Sequence, residues 1–232
     1  MIEERLQGLV LAVFIVSIDG PDLSGKTTIT NLVVELLKRE KKRGNSLKGV
    51  TIKRAELPTN DMVTGAFTDI LRSIKGEVSA EEFALAYALD HLHYYRLRVM
   101  PLERLKERFL IVQERSLLTT YIYQGLMGGA DLKWLKEINK YCKAIPSLTI
   151  ILKVSLEELL RRRRVEGRCF DAFEEEVLLK RQVEVYYNLP KELREEFNVH
   201  YIDAEDYAFV VAAAIRDMIV KEVKAKGFVG NA

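Results

Sequence analysis

An α/β fold built on a parallel, doubly wound sheet is the architecture this sequence predicts, and three observations predict it. Five apolar, β-branched runs recur along the chain, separated by stretches whose apolar residues fall at helical spacing. The first run passes directly into Gly20-Pro21-Asp22-Leu23-Ser24-Gly25-Lys26-Thr27, which satisfies the pattern G-x-x-x-x-G-K-[ST]. The 232 residues, 48% of them hydrophobic, suffice for a sizeable core in one α/β domain. The expectation is a single domain over residues 1–232, with five parallel strands flanked by helices on both faces.

Residues 9–18 (LVLAVFIVSI) form a continuous apolar run that reads as a buried parallel strand. After the glycine loop a helix is predicted over 28–39. It ends in the basic cluster KREKKR, where cations suit a helix C-terminus, and Gly44-Asn45 supplies the stop. Residues 50–54 (VTIKR) predict a short second strand; Pro58 blocks its continuation, and Asp61 is placed to cap a helix over 62–74. A long helix is predicted over 81–98, with Ser79 and Glu82 as a capping box. Phe83, Tyr87 and His91 share one of its faces, either as a packed aromatic seam or as a ring for a nucleobase to stack on. His91 and His93 face different ways, which disfavours a metal site. Pro101 is expected to interrupt this helix, with a resumption over 102–108.

The third strand, 109–113 (FLIVQ), ends in Glu114-Arg115, a charged pair at the carboxyl end of a parallel strand, where open α/β sheets bind ligands. There follow a turn and helix over 116–125, an amphipathic helix over 131–142 with Trp134 as a packing residue, and a fourth strand over 148–154 (LTIILKV). The next helix, 156–165, carries Arg161, Arg162, Arg163 and Arg164, with Arg168 just beyond Gly167. Charges so arranged point around the helix in all directions, so some face solvent while others can form a mobile basic flap over a triphosphate. A helix over 173–189 broken by Pro190, a last strand over 199–202 (VHYI) and a helix over 206–224 complete the pattern.

Strand, glycine loop and helix, in that order, are the context in which such an octapeptide cradles phosphates. Gly20 and Gly25 permit a backbone that turns successive N–H groups toward phosphate oxygens, and the helix N-terminus adds partial positive charge. Lys26 reaches the β- and γ-phosphates, the Thr27 hydroxyl is placed to hold Mg²⁺, and Asp22, Leu23, Ser24 and Thr28 complete the nucleotide-contacting set. The expected fold is that of P-loop NTPases, with a mobile arginine-rich lid over about residues 161–174. The expected ligands are ATP and Mg²⁺. A net charge of +2 is too small to argue for nucleic acid. Cys142 and Cys169 show no metal or redox spacing, which suits reduced thiols in a cytoplasmic protein. Glu3 and Glu4 spoil the positive flank of a signal peptide, and no apolar run is long enough to cross a membrane. Small-molecule nucleotides, with no nucleic acid and no membrane, are the expected partners.

The segment from Glu114 to Gly125 (ERSLLTTYIYQG) resembles, without a gap, the D-R-Y-x-x-S-S-x-A-Y-Q-G segment of thymidylate kinases. Residues 84–94 (ALAYALDHLHY) resemble the L-F-A-A-D-R-x-x-H helix of that family, Pro58 followed by Gly65 is similar to its acceptor-side loop, and 154–174 is similar to its arginine lid ending in D-R-x-E. The resemblance implies phosphorylation of dTMP to dTDP with ATP and Mg²⁺, and a homodimer. It implies that Asp22 contacts the sugar 3′-hydroxyl or helps hold the acceptor, Tyr87 stacks on thymine, Arg115 grips the acceptor phosphate, and Thr120 and Gln124 sit in the base-reading segment. Tyr123 would crowd out a ribose 2′-hydroxyl, Glu114 would act on the Mg²⁺ shell or the incoming phosphate, and Arg162, Arg164 and Arg168 would stabilise the transition state. Leu23 stands where some members place an arginine, which makes the lid arginines more necessary.

The chain also departs from the family. Glu114 replaces aspartate, Ser116 an aromatic residue, Ala172 an arginine, and His91 the arginine that reads the thymine carbonyl. Near Pro58 a phosphate-gripping arginine is absent; Glu56 and Asn60 hold those positions, with Arg54 as a candidate substitute. Two alternatives therefore stand beside dTMP phosphorylation: a kinase of the same fold acting on another deoxynucleotide or a nucleoside, and a non-catalytic ATP-binding module.

Overall fold

The apolar, β-branched runs line up as five parallel strands: β1 (Val13–Asp19), β2 (Val50–Glu56), β3 (Arg108–Glu114), β4 (Leu148–Lys153) and β5 (Val199–Asp203). Their order across the sheet is β2-β3-β1-β4-β5, with β1 registered so that Ile15 lies beside Ile111. The computed structural model describes residues 12–42, 47–74, 78–166 and 172–229. Between the strands run α1 (Lys26–Lys42), α2 (Val63–Ser73), α3 (Ala80–Tyr94), α4 (Met100–Glu103), α5 (Leu117–Thr120), α6 (Leu132–Asn139), α7 (Leu156–Glu166), α8 (Ala172–Tyr187), α9 (Lys191–Glu196) and α10 (Ala208–Ala225).

Strand alternation divides the core between the two faces of the sheet. Phe14, Val16 and Ile18 of β1 join Val33 and Leu37 of α1 and Ile215 and Ile219 of α10 in one apolar cluster. On the other face Ile151 of β4 packs with Leu118, Leu135 and Tyr186 from α5, α6 and α8, while Ile15 meets Tyr94, Val99 and Leu57. Both faces are covered, so the central strands read as apolar runs rather than as alternating ones. The fold is the α/β architecture of P-loop NTPases.

Several local expectations are corrected. Asp61 does not cap α2; Met62 holds the cap position, without a side-chain bond, because Asp61 is instead paired with Arg98 at 2.6 Å. Pro101 does not interrupt a helix. It stands in the first turn of α4, where its missing N–H is no loss, and the preceding residues Tyr95–Val99 form a wide π turn that eases its ring past the carbonyl of Leu97. Residues 104–107 are non-helical and Arg108 already belongs to β3. The helix expected over 131–142 stops at Asn139, whose side chain donates to the Leu135 carbonyl while its own carbonyl accepts from Cys142. The segment after α5 continues as a second π stretch, Tyr121–Met127. Pro190 ends α8 and also starts the short α9, which the periodicity did not reveal.

The candidate site gathers at the sheet's carboxyl edge, where open α/β sheets bind ligands. β1, β2 and β3 end in Asp19, Glu56 and Glu114, and the glycine loop, the loop at Pro58 and Arg115 all begin there. The capping box foreseen at Ser79 and Glu82 holds the start of α3.

Candidate active site

The octapeptide loop adopts a backbone that ordinary residues resist. Gly20 has φ of 147° and a Cβ there would stand 3.0 Å from the Leu152 carbonyl oxygen; Gly25 has φ of 89°. Leu23, although not glycine, is also left-handed at 66°. Fully buried Asp19 anchors the entrance, accepting from the Gly20 N–H and from the Tyr186 hydroxyl at 2.8 Å each, and from Thr119. The Lys26 ammonium lies inside the loop and donates to the carbonyls of Gly20 at 2.9 Å and Pro21 at 2.7 Å. Burial, together with nearby Arg115, pushes its pKa down to about 8 against the pull of Asp22, Asp19 and Glu114.

Three side chains form a junction beside the loop. Arg115, itself in a left-handed conformation with φ of 66°, donates to Asp22 Oδ1 at 2.8 Å. Gln182 of α8 donates to Asp22 Oδ2 at 2.9 Å and accepts from the Asp22 N–H at 2.7 Å. Burial raises the Asp22 carboxyl, but Lys26 and Arg115 outweigh it and hold the group at about 2. The Thr27 hydroxyl donates to Glu114 Oε1 at 3.0 Å.

Two cavities open on this junction. One of about 560 Å³ is lined by Leu23, Gly25, Lys26, Thr27 and Thr28 of the loop and by Arg161, Arg162 and Val165 of α7. The other, about 500 Å³, runs between the loop at Pro58, α2, α3 and α5. Asp22, Glu114 and Arg115 line both. A group held in one cavity therefore faces a group held in the other across this trio.

The second cavity has an aromatic and amide lining. Tyr87 stacks with Phe83 at 6.1 Å, so the seam foreseen on α3 exists, and Tyr87, His91, Thr120, Tyr123 and Gln124 all reach the cavity. His91 is buried, with Nε2 3.1 Å from the Thr120 hydroxyl, and burial pushes its pKa down to about 4 although Asp90 opposes this. It stands as a neutral imidazole. Arg115 lies over the Tyr123 ring, whose hydroxyl is 3.4 Å from Asp22 Oδ2. Buried Asp90 ties the Pro58 loop to α3 by accepting from the Thr59 N–H at 2.8 Å and from the hydroxyls of Thr59 and Thr64 at 2.6 Å. Gly65 lets α2 lie on that loop: a Cβ there would fall 1.5 Å from the Thr59 carbonyl oxygen.

Some residues were missed by reading the sequence. Arg72 lines the second cavity, donates to the Tyr87 hydroxyl at 3.0 Å and lies over its ring, so the aromatic face toward α2 carries a guanidinium. Its one-turn spacing from Asp69, which also lines the cavity, was the available signal. Gln182, 160 residues from Asp22, gave none. Arg161 lines the loop-side cavity together with Arg162. Arg162 is held by Glu158 at 2.8 Å, by the Leu23 carbonyl at 3.3 Å and by the Ala204 carbonyl at 3.1 Å. Arg164 is exposed and lines neither cavity. Arg168 and Cys169 lie outside the described residues, and Ser24 is buried within the loop rather than lining its cavity. Cys142 is a buried free thiol. Among the described residues no cluster of metal-ligating side chains occurs, and no helix is long and apolar enough to cross a membrane.

The thymidylate kinase family model matches residues 18–215. A probable thymidylate kinase of Pyrobaculum aerophilum is 28% identical over 214 residues, covering 91% of this chain and 98% of that protein. The thymidylate kinase of Caldanaerobacter subterraneus subsp. tengcongensis is 26% identical, covering 90% and 94%. A probable thymidylate kinase 1 of Saccharolobus solfataricus is 29% identical, covering 87% and 95%. With its glycine loop, its paired cavities and a family match that runs through both, the chain belongs to the thymidylate kinase family.

Proposed function

We propose that the chain transfers the γ-phosphoryl group of ATP to dTMP, giving dTDP and ADP by direct in-line displacement. The observation that carries this reading is the sharing of Asp22, Glu114 and Arg115 between a triphosphate-sized cavity and a nucleotide-sized one. A phosphate oxygen of the acceptor attacks the γ-phosphorus, the β–γ bridging bond breaks, and ADP departs with that electron pair. Lys26 leaves its loop carbonyls to bind β- and γ-oxygens, and Arg115 presents its guanidinium fork to the acceptor phosphate. Arg161 and Arg162 add positive charge on the donor side, and we retain Arg164 and Arg168 as further lid candidates over residues 161–174. Thr27 and Glu114, whose oxygens are 3.0 Å apart, are hard donors of the kind Mg²⁺ takes beside phosphates, and they would hold it. When bound, Mg²⁺ neutralises charge across the β- and γ-phosphates.

Tyr87 and Arg72 would meet the base, and Tyr123 the C2′ side of the sugar. A panel of nucleoside monophosphates and nucleosides, assayed for ADP release, tests the reading: dTMP is expected among the best acceptors, and its absence there would sink the specific claim. One observation favours a second reading. Both cations lining the acceptor cavity are already paired, Arg115 with Asp22 and Arg72 with Asp69 at 3.0 Å, and Glu56 adds a further carboxylate. An acceptor carrying less negative charge than dTMP would suit that lining, and turnover of a nucleoside above dTMP in the same panel would select it.

We also propose a homodimer. Val63, Phe67, Ile70 and Ile74 expose an apolar stripe along and just beyond α2 at the four-three-four spacing of a helix-pairing seam, and Leu85 and Leu89 of α3 are exposed as well. A second copy of this face would cover it and brace the helices that line the acceptor cavity. Phe67→Glu with Ile70→Glu should yield a folded monomer by sedimentation; an unchanged oligomeric state would exclude this face.

A further inference from the structure

Arg54 belongs to neither cavity lining, yet it is tied to both. On β2 it points to the same side as Glu56, two residues on, and the strand register sets Glu56 directly beside Glu114 of β3. Two carboxylates so placed repel. The Arg54 guanidinium lies between them, with Nη1 3.1 Å from Glu56 Oε2 and Nη2 3.4 Å from Glu114 Oε2. Its Nε donates to Asn31 Oδ1 at 2.7 Å. Asn31 is one turn beyond Thr27 on α1, and Thr27 bonds the other oxygen of Glu114. Thr27, Glu114, Arg54 and Asn31 thus form a closed bracket between the start of α1 and the ends of β2 and β3.

We propose that Arg54 is a positioning residue for Glu114. It holds the carboxylate so that one oxygen faces Thr27, and thereby sets how the donor site takes a divalent cation with its triphosphate. This role differs from gripping the acceptor phosphate, for which the sequence made Arg54 a candidate. All three guanidinium nitrogens have partners, and Glu56 and Glu114, not Arg54, line the acceptor cavity. The proposal rests on the kinase reading above.

Arg54→Met keeps the stem and removes the guanidinium, Arg54→Lys keeps the charge, and Asn31→Ala removes one arm of the bracket. For each, ATP affinity is measured with and without Mg²⁺ in the absence of acceptor, followed by kcat and the KM for dTMP. Arg54→Met is expected to lose at least about tenfold of the Mg²⁺-dependent gain in ATP affinity and a comparable factor in kcat, with KM for dTMP little changed. Asn31→Ala should move the same quantities less, and Arg54→Lys should recover part of the loss. An unchanged Mg²⁺ gain would overturn the proposal. So would a rise in KM for dTMP as the main effect, since that would make Arg54 the acceptor-phosphate grip. Should Arg54→Met not fold, Asn31→Ala decides by the same two criteria. The ATP-binding arm contains no acceptor, so a failure of dTMP as substrate would register separately, in turnover alone.

Discussion

The donor cavity takes Asp22, Leu23, Gly25, Lys26, Thr27 and Thr28 from one continuous stretch, whereas the acceptor cavity takes Thr59, Arg72, Tyr87, His91 and Thr120 from four separate segments. In the proposed transfer the donor side meets phosphate largely through the backbone N–H groups of the loop and Lys26, so its chemistry would follow from loop conformation. The acceptor side depends on side chains brought together by other side chains: Asp90 pins the Pro58 loop to α3, and Gly65 lets α2 rest on Thr59. Damage to the first should abolish transfer with the fold intact. Damage to the second should act through packing, raising KM for the acceptor and lowering stability together.

The largest effect expected is that of Lys26→Ala, which should cut kcat by about 10²-fold or more while the KM for dTMP and the melting temperature hold, as steady-state kinetics and calorimetry would read. Retained turnover would remove the loop lysine from the mechanism. On the acceptor side, Asp90→Ala leaves the buried Thr59 hydroxyl and the half-buried Thr64 hydroxyl without their acceptor. Such a loss costs about 1–3 kcal/mol per unsatisfied group, and a rise in KM for dTMP with KM for ATP unchanged should accompany it. Equal rises in both constants would contradict the separation of the two halves.

Protons offer a gentler probe. Because free Lys26 is held at about 8 and a bound triphosphate favours the ammonium, ATP affinity should fall as pH rises above about 8, by up to about tenfold per unit. Titration calorimetry across pH 7–10, with uptake of about one proton at most on binding at the alkaline end, would check this. His91 works oppositely on stability. Its folded pKa of about 4 lies below the ordinary value of 6.5, so its contribution is complete above 6.5 and is lost as pH falls from there toward 4. Thermal melts of the wild type should show that acid slope, and His91→Gln should flatten it. The smallest effect expected is on the sugar: Tyr123→Ala should narrow the preference for deoxyribonucleotides over ribonucleotides by about tenfold if the ring abuts C2′, and an unchanged ratio would remove Tyr123 from that role.

What could be read in advance follows the same division. The strands and the octapeptide were legible because each is contiguous and periodic, and the capping box at Ser79 and Glu82 is a local bond with a local signature. The Asp61 cap failed because a longer-range partner, Arg98, took its carboxylate. The π stretches and the short α9 were hidden, since wide turns and single turns leave little periodicity to detect. The position of Arg72 over Tyr87 and the Gln182 clasp on Asp22 join segments far apart in the chain, and no spacing rule reports such meetings.

By itself, then, the sequence determined the alternation of strand and helix, the glycine loop and the pair Glu114-Arg115 at a strand end, because each is written in neighbouring residues and in backbone preference. Only the tertiary structure decided that Asp22, Glu114 and Arg115 stand between two cavities, that His91 is buried and neutral, and that the Arg54 guanidinium meets Glu114. Those outcomes depend on strand order, register and burial, which set distances and local dielectric between residues that the chain itself keeps far apart.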